Sequence, residues 1–278
     1  MVSYSAEYSF TSLNDASAAI CGNAAAARLK SQAESELRKI ADAKAAAERK
    51  KKEEAERKAA ATDRNSGRVT DNGHEGVQLW KDGPYWATTN VGADKPHDYG
   101  LYFWWGDTVG YRRSGSSWVA SDRSNRNFSF DSGNTPTYKK SESELKRSGW
   151  LTSAGVLAPA HDAAHAHWGG AWRMPTDAEL QALVNNCDWF WTSQNGTSGY
   201  LVSGRGAYSS ASIFLPAAGF GHGTSLGNAG SVGYYWSSVP NSDSEGARSL
   251  YFNSGNRHVL GDGRDYGRSV RPVRGFAK

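Results

Sequence analysis

Cysteine is nearly absent. Cys21 and Cys187 are the only two in 278 residues and lie far apart. A disulfide framework is thereby excluded, and both read as reduced thiols. Long apolar runs are missing as well. A membrane-spanning helix needs about 20 consecutive apolar residues, and no stretch approaches that, so no membrane insertion is expected. The opening Met1-Val2-Ser3-Tyr4-Ser5-Ala6-Glu7 has neither the basic region nor the apolar stretch of a secretory signal. Charge of one sign is scarce: the net charge of +4 is too small to point to nucleic acid. The expected location is cytoplasmic, with export or release by a route that needs no signal peptide.

Tryptophan is what the chain has in plenty. All 11 indoles fall between Trp80 and Trp236. Each aromatic removes roughly 150–250 Å² from water when buried, so this region can fill a large core. The part before it differs. Residues 15–61 are Ala-rich, contain no Pro and are interrupted only by Gly22, which predicts a helix. Asn14 or Asp15 can cap its start, and Asp63, Asn65, Ser66 and Gly67 end it. Leu29, Ala33, Leu37, Ile40 and Ala47 step by threes, fours and a seven, a thin coiled-coil-like stripe. So polar a helix is marginal unless packed or self-associated. Two readings stay open, a solvated spacer and an oligomerising stalk. Acids interleaved with the bases argue against a nucleic-acid-binding arm.

The chain therefore reads as a docking segment over 1–14, a helical stalk over 15–61, a polar linker over 62–76 and one globular domain over 77–278. Within that domain, short aromatic and β-branched runs bounded by turn residues predict strands at Tyr85–Thr89, Leu101–Trp105, Tyr200–Val202, Ile213–Pro216, Tyr234–Trp236, Ser249–Phe252 and Ser269–Arg271. Two helices are expected. One covers about Ser141 to Arg147. The other follows Thr176, which with Glu179 forms a capping box ahead of Leu180, Leu183 and Val184. Few helices among many short strands and long loops indicate an α+β fold.

The C-terminal stretch Asn256-Arg257-His258-Val259-Leu260-Gly261-Asp262-Gly263-Arg264-Asp265-Tyr266 has no period of 2 or 3.6. Held between strand-like runs, it reads as a surface for contact rather than for folding. Alternation in the run before it turns Leu250 and Phe252 to one side, Tyr251 and Asn253 to the other. Tyr251, Tyr266, Arg248, Arg257, Arg264 and Arg268 are then expected to face a partner, Tyr and Arg being favoured interface anchors. Asn241, Ser249, Asn253, Asn256, His258, Leu260, Asp262 and Asp265 complete that surface. Arg271 and Arg274 are expected to be structural.

Several runs together resemble a known family. They are Trp86-Ala87-Thr88-Thr89-Asn90-Val91-Gly92-Ala93, Asp98-Tyr99-Gly100-Leu101-Tyr102-Phe103-Trp104-Trp105-Gly106-Asp107, Trp172-Arg173-Met174-Pro175-Thr176, Phe214-Leu215-Pro216-Ala217-Ala218-Gly219-Phe220, Tyr235-Trp236-Ser237-Ser238 and Ser269-Val270-Arg271-Pro272-Val273-Arg274. In this order they resemble the major paralogous domain of gut Bacteroidetes and their phages. That is a C-type lectin-like fold of the formylglycine-generating-enzyme-like branch, whose members include the variable proteins of diversity-generating retroelements. The resemblance implies a non-enzymatic binding protein. Its C-terminal segment would be rewritten by adenine-directed mutagenesis to display a ligand-binding surface. Randomised adenines in an asparagine-type codon cannot yield Lys, Glu, Gln, Met or Trp, and from Gly246 to Val270 none of these occurs. A helical stalk ahead of such a domain suggests a phage tail-fibre-associated receptor-binding adhesin in the virion. Its partner would be a host cell-surface protein or glycan. It would be a homo-oligomer through the N-terminal helix, with a trimer favoured by analogy with phage fibres. The alternative is a bacterial surface or intracellular binding module of the same fold without hypervariability.

Enzymatic chemistry has little support in the sequence. Oxidases of the resembling branch need a late cysteine pair, and no Cys follows Cys187. Gly223-Thr224-Ser225-Leu226-Gly227 fits a nucleophile-elbow pattern but lacks the strand before and helix after that an elbow needs. His161, His165 and His167 form the most metal-like group, with Asp162 close by. The Gly169-Gly170 that follows argues for a structural or surface role. Asp243 and Glu245 lie two apart in a polar loop and read as solvated. Val239-Pro240-Asn241 lacks the carboxylate of a sugar-binding calcium triplet. No cofactor is therefore expected, which leaves room only for a structural calcium elsewhere.

Overall fold

A computed structural model describes residues 27–54, 67–133 and 135–275. The chain divides into two compact units, Met1–Ala61 and Thr62–Lys278. The docking segment, Cys21, the first part of the stalk and both of its expected caps fall outside the described residues, apart from Gly67. In the first unit residues 27–54 form one helix, α1, exposed along its length. Leu29, Leu37 and Ile40 are each more than half exposed on it. Lys39 and Glu36 pair at 2.8 Å across one turn, which adds a few tenths of a kcal/mol at most.

The second unit is a mixed α+β domain of curled antiparallel sheets. It opens with β1 (Arg68–Asp71) and β2 (His74–Gln78). This corrects the expected linker: its second half is a hairpin, turned at Asn72-Gly73, where both residues have positive φ (51° and 82°). That is the turn an Asn-Gly pair favours, because its twist matches the strands it joins. There follow β3 (Tyr85–Ala87), β4 (Tyr111–Ser114), β5 (Ser117–Ala120), α2 (Glu142–Arg147), α3 (Ala163–Trp168), β6 (Trp172–Arg173) and α4 (Asp177–Asn186). Then come β7 (Asp188–Gln194), β8 (Thr197–Ser203), β9 (Ser212–Pro216), β10 (Phe220–His222), β11 (Ser225–Gly227), β12 (Val232–Pro240), β13 (Gly246–Asn253), β14 (Arg257–Gly263) and β15 (Val273–Arg274).

Strand order explains how the ends meet. The five-stranded sheet runs β1-β2-β3-β15-β6, so the last strand sits between two early ones. Two three-stranded sheets, β7-β8-β9 and β12-β13-β14, complete the frame with the hairpins β4-β5 and β10-β11. Both expected helices are present with capping boxes, Ser141 with Glu144 and Thr176 with Glu179. In each, the cap hydroxyl accepts from the third amide while the Glu returns the bond to the cap's own amide, satisfying two orphan donors. α3 was not anticipated. Asp162 starts it by accepting from the His165 amide at 3.0 Å, and Gly169, at φ 63°, ends it.

Two expected strands resolve differently. Leu101–Trp105 makes only isolated bridges, Tyr102 to Tyr111 and Phe103 to Arg268, while its aromatic side chains are all buried. Ser269–Arg271 bridges once, Ser269 to Tyr235, and the strand lies further on at β15. In the first segment bulky rings fix the backbone against neighbours on several sides; in the second, single backbone bonds from Trp236 and Val91 to Ser269 and Val270 take the place of a ladder.

The core is aromatic. Trp86, Trp105, Trp118, Trp172 and Trp236 are completely or almost completely buried. Buried indole N–H groups usually find acceptors; those of Trp86 and Trp118 have none among the described residues, but others do. Trp105 Nε1 donates to Ser237 O and Trp236 Nε1 to Phe103 O, each at 2.9 Å. Arg271 closes the frame from inside. Its guanidinium donates to Asn90 Oδ1 (2.8 Å), Ala87 O (2.9 Å) and Phe214 O (2.8 Å), joining β3 to β9. Burial lowers its pKa to about 10.

Candidate binding surface

The sheet β12-β13-β14 carries the C-terminal segment, and its register decides which residue faces where. Tyr234 pairs with Tyr251 and Tyr251 with His258. Trp236 pairs with Ser249, and Ser249 with Leu260. Side chains alternate across a strand, so these residues share one face with Asn253 and Asp262; it is an outer face at Tyr234, Tyr251 and His258, whereas Trp236 and Ser249 on it are buried, Trp236 in a second apolar cluster. Leu250, Phe252, Tyr235 and Val259 share the other, which packs on the main core with Leu180, Leu183 and Cys187 of α4 and its cap. The predicted alternation of Leu250 and Phe252 against Tyr251 and Asn253 is therefore the observed one. Gly233 on β12 is required by this packing, since a Cβ there would enter the Phe252 ring.

Residues 256–266 are not an irregular loop. Most of them form β14, the edge strand of this sheet. The missing period has a physical cause: both faces of β14 are partly exposed, so neither imposes a run of apolar residues.

On and beside the outer face six half-exposed or exposed rings are linked by pairwise contacts, most of them edge-on. His222 stacks on Tyr266 (5.0 Å between centroids), Tyr266 meets Phe220 (5.7 Å) and Phe220 meets Tyr234 (5.5 Å). Tyr234 then meets Tyr251 (5.1 Å), and Tyr251 meets His258 (5.0 Å). The hairpin β10-β11 supplies the first two non-sheet rings, and a close backbone approach places it. Gly221 N donates to Gly267 O (2.7 Å) and Gly267 N to Gly221 O (2.9 Å). A Cβ on either glycine would run into the Phe130 ring, so only glycine lets the hairpin and Tyr266 come together.

Arg268 lies beneath the row. Its guanidinium sits 3.9 Å from the Tyr234 ring centroid, 5.1 Å from Trp236, 5.2 Å from Tyr266 and 5.8 Å from Phe220. It is 2% exposed and pairs with Asp262. Its Nε and Nη1 have no hydrogen-bond partner, and the surrounding ring faces take that place. Burial lowers the Arg268 pKa and raises that of Asp262, in each case against the pull of the other. Burial also raises the Tyr234 hydroxyl, with Arg268 opposing.

The expected surface is thus only partly assembled. Tyr251, Asn253, His258, Leu260, Asp262 and Tyr266 come together on or beside the outer face. Asn256 is exposed at the β13–β14 turn, which Asn253 Oδ1 closes by accepting from the Gly255 and Asn256 amides (2.9 and 2.8 Å). Asn241 is at the opposite end of the strands, where it bonds Asp243 and packs against Gly261. Asp265 is half-buried there, its carbonyl accepting from Trp104 Nε1 at 3.0 Å.

Five positions depart from expectation. Ser249 is on the outer face but fully buried, with its Oγ 3.4 Å from Asp262. Arg268 is buried beneath the rings. Arg264 is fully buried and points inward, donating to Gly246 O (2.7 Å), Thr137 O (2.8 Å) and Lys140 O (2.9 Å) beside Trp105. Arg248 and Arg257 lie on the opposite face of the sheet. Arg248 Nε is 3.9 Å from Asp177 at the start of α4, and the Arg257 guanidinium is 5.4 Å from the Trp189 ring centroid. Arg271 and Arg274, the latter bonded to Asp71 at 2.8 Å, stay within the frame.

Three ring residues, Phe220, His222 and Tyr234, escaped sequence reasoning. The first two were hidden in a Gly-rich stretch. Tyr234 could have been found, because of two adjacent tyrosines on one strand, one must face away from the core.

The features weighed for chemistry are dispersed. His161 stacks on Trp150 (3.7 Å), His165 Nδ1 is 3.3 Å from Trp172 O, and His167 Nε2 is 2.9 Å from Thr108 O. Among the described residues, no group of three or more His, Cys, Asp or Glu could hold a metal ion. Ser225 opens a strand rather than a helix, so Gly223–Gly227 is the turn and second arm of a hairpin. Glu245 is 3.1 Å from the Tyr138 hydroxyl, and Asp243 caps its own loop by accepting from the Glu245 amide at 2.9 Å. Cys187 is buried, and burial pushes its thiol up to about 12.

No protein-family model, no curated protein and no solved structure matches this chain. No helix among the described residues is long and apolar enough to cross a membrane.

Proposed function

We propose that this is a non-enzymatic binding protein of C-type lectin-like fold that meets its ligand with the outer face of β12–β14. The single observation that carries the reading is the row of rings from His222 to His258, half exposed yet held on a sheet whose other face is core. Rings that a folding core does not need, fixed in place beforehand, supply contact area with little ordering on binding. The family resemblance extends this to a phage tail-fibre-associated adhesin diversified by a retroelement. In that case the outward positions Tyr251, Asn253, His258, Leu260 and Tyr266 are the ones free to vary, and Arg264, Arg268 and Arg271 are not. Leu29, Leu37 and Ile40 of α1 support a homo-oligomer, a trimer by analogy with fibres, in which several surfaces act together.

Two measurements test this. Replacing Tyr251, His258 and Leu260 together should change which host cells the full chain binds, with the melting temperature held; unchanged binding would overturn the reading. Sequencing the encoding locus should reveal a near-copy of the codons for Trp236–Arg274 beside a reverse transcriptase, its adenine-linked differences confined to outward positions. Sedimentation of the full chain at micromolar concentration reports separately on α1, where a monomer would remove the stalk.

A further inference from the structure

We infer that Asn195, at the tip of the β7–β8 hairpin, is a self-modification site: it deamidates to aspartate and isoaspartate, with His97 as the proton donor. The inference is independent of the binding surface proposed above.

The domain holds two Asn-Gly turns, and one is a control for the other. Asn72-Gly73 joins β1 to β2, and Asn195-Gly196 joins β7 to β8. Their backbones match. The φ angles are 51° and 82° in the first turn, 48° and 83° in the second, as in the tight turn that Asn-Gly favours. All four residues are exposed, and a Cβ added to either glycine would meet nothing within 4 Å. Neither glycine amide makes a hydrogen bond among the described residues. Backbone geometry and solvent access therefore treat the two turns alike.

The asparagine side chains differ. Asn72 Nδ2 donates to Trp168 O (2.5 Å), which holds that amide in place. Asn195 Nδ2 lies 3.1 Å from His97 Nε2. An amide nitrogen only donates, so the ring nitrogen accepts there as neutral imidazole. Imidazole is the side chain that exchanges a proton near neutral pH. The Asp98 carboxylate, 3.8 Å from the same ring nitrogen, favours its charged form. The departing nitrogen of Asn195 thus touches a proton carrier, whereas that of Asn72 touches a carbonyl.

Gly196 N gives its proton to solvent and bonds Asn195 Cγ. At the tetrahedral carbon, Nδ2 is an amine with a free lone pair, and it takes a proton from the imidazolium. The Cγ–Nδ2 bond breaks, ammonia leaves, and a five-membered imide remains. Imidazole recovers its proton from water. Water then adds to either imide carbonyl and opens the ring to aspartate or isoaspartate. The sum is one water in and one ammonia out, with nothing oxidised or reduced.

The test ages the native full-length protein at physiological temperature and pH. Both turns are followed by peptide mass spectrometry, with isoaspartate resolved from aspartate. Asn195 should convert about tenfold or more faster than Asn72, as a placed general acid allows. In urea, where neither His97 nor Trp168 is held at a turn, the two rates should converge. His97→Gln keeps a hydrogen-bond acceptor but cannot take up and release a proton. It should slow Asn195 about tenfold or more and leave Asn72 unchanged. The rise of the Asn195 rate with pH should level off once the imidazole is neutral, and in His97→Gln it should continue. Equal native rates at the two turns would overturn the inference without any variant. So would a difference that persists in urea, since local sequence would then set it, or an Asn195 rate that His97→Gln leaves unchanged.

Discussion

Residues 257–263 and residues 264–271 look alike on paper, each mixing Arg, Gly and Asp with apolar residues and no repeat. They do opposite things. The first stretch is an edge strand that shows His258, Leu260 and Asp262 to the outer face. The second turns back into the domain. Gly267 pairs with Gly221, Arg268 with Phe103 and Ser269 with Tyr235, so successive residues bind three different neighbours. Arg264 and Arg271 serve as internal braces, Arg264 held by three carbonyls from two separate segments and Arg271 by three more groups. Polarity therefore does not separate display from support here. What separates them is whether the interior holds partners for a guanidinium: backbone carbonyls for Arg264 and Arg271, whose forks of donors satisfy several at once, and Asp262 with ring faces for Arg268.

The contrast can be challenged at several points. Chemical reactivity gives the largest expected effect. With its thiol pushed up from 9.0 to about 12, Cys187 behind the sheet carries about a thousandfold less thiolate near pH 8 than a free thiol. Iodoacetamide should label it at least that much more slowly in the native chain than in urea, followed by peptide mass spectrometry, while exposed His258 on the other face reacts readily with diethylpyrocarbonate. Next is Arg264→Ala, which strands buried carbonyls of Gly246, Thr137 and Lys140. A loss of about 3–5 kcal/mol is expected in urea denaturation, from three stranded carbonyls and the cavity the side chain leaves; a loss under 1 kcal/mol would mean the site hydrates freely.

Gly267→Ala should lie below that, at about 1–3 kcal/mol, the usual range for overpacking. It should also alter the near-ultraviolet circular dichroism, because the Phe130 ring and the hairpin beside Tyr266 must shift. The smallest stability change belongs to His258→Ala, within about 0.5 kcal/mol. If that substitution proved as damaging as Arg264→Ala, the division between the two stretches would be wrong.

Local chemistry made part of this fold legible. Thr176 and Glu179 announce α4 because a capping box is complete within four residues. The alternation from Leu250 to Asn253 announces β13 because one face of it is core. α3 was not legible, since Ala163–Trp168 is short and its cap, Asp162, also serves the distant Met174 amide (2.9 Å). The fate of Arg264 and Arg268 was not legible either. Their partners come from residues 137–140, 234–236 and 220, and nothing in the local sequence says that these will converge. The candidate surface was half read for the same reason: Tyr251 and His258 follow from strand periodicity, whereas Phe220 and His222 reach it only through the contact of two glycines.

The position of β15 sets an order of events during synthesis. Val273 and Arg274 occupy an interior place in the five-stranded sheet, hydrogen-bonded to β3 on one side and β6 on the other. That sheet cannot be completed until the ribosome has passed both residues, long after β1, β2 and β3 have emerged. The segment before β15 must therefore be translated in full before the domain can lock, and a chain stopped within it would leave β3 and β6 without the strand that joins them.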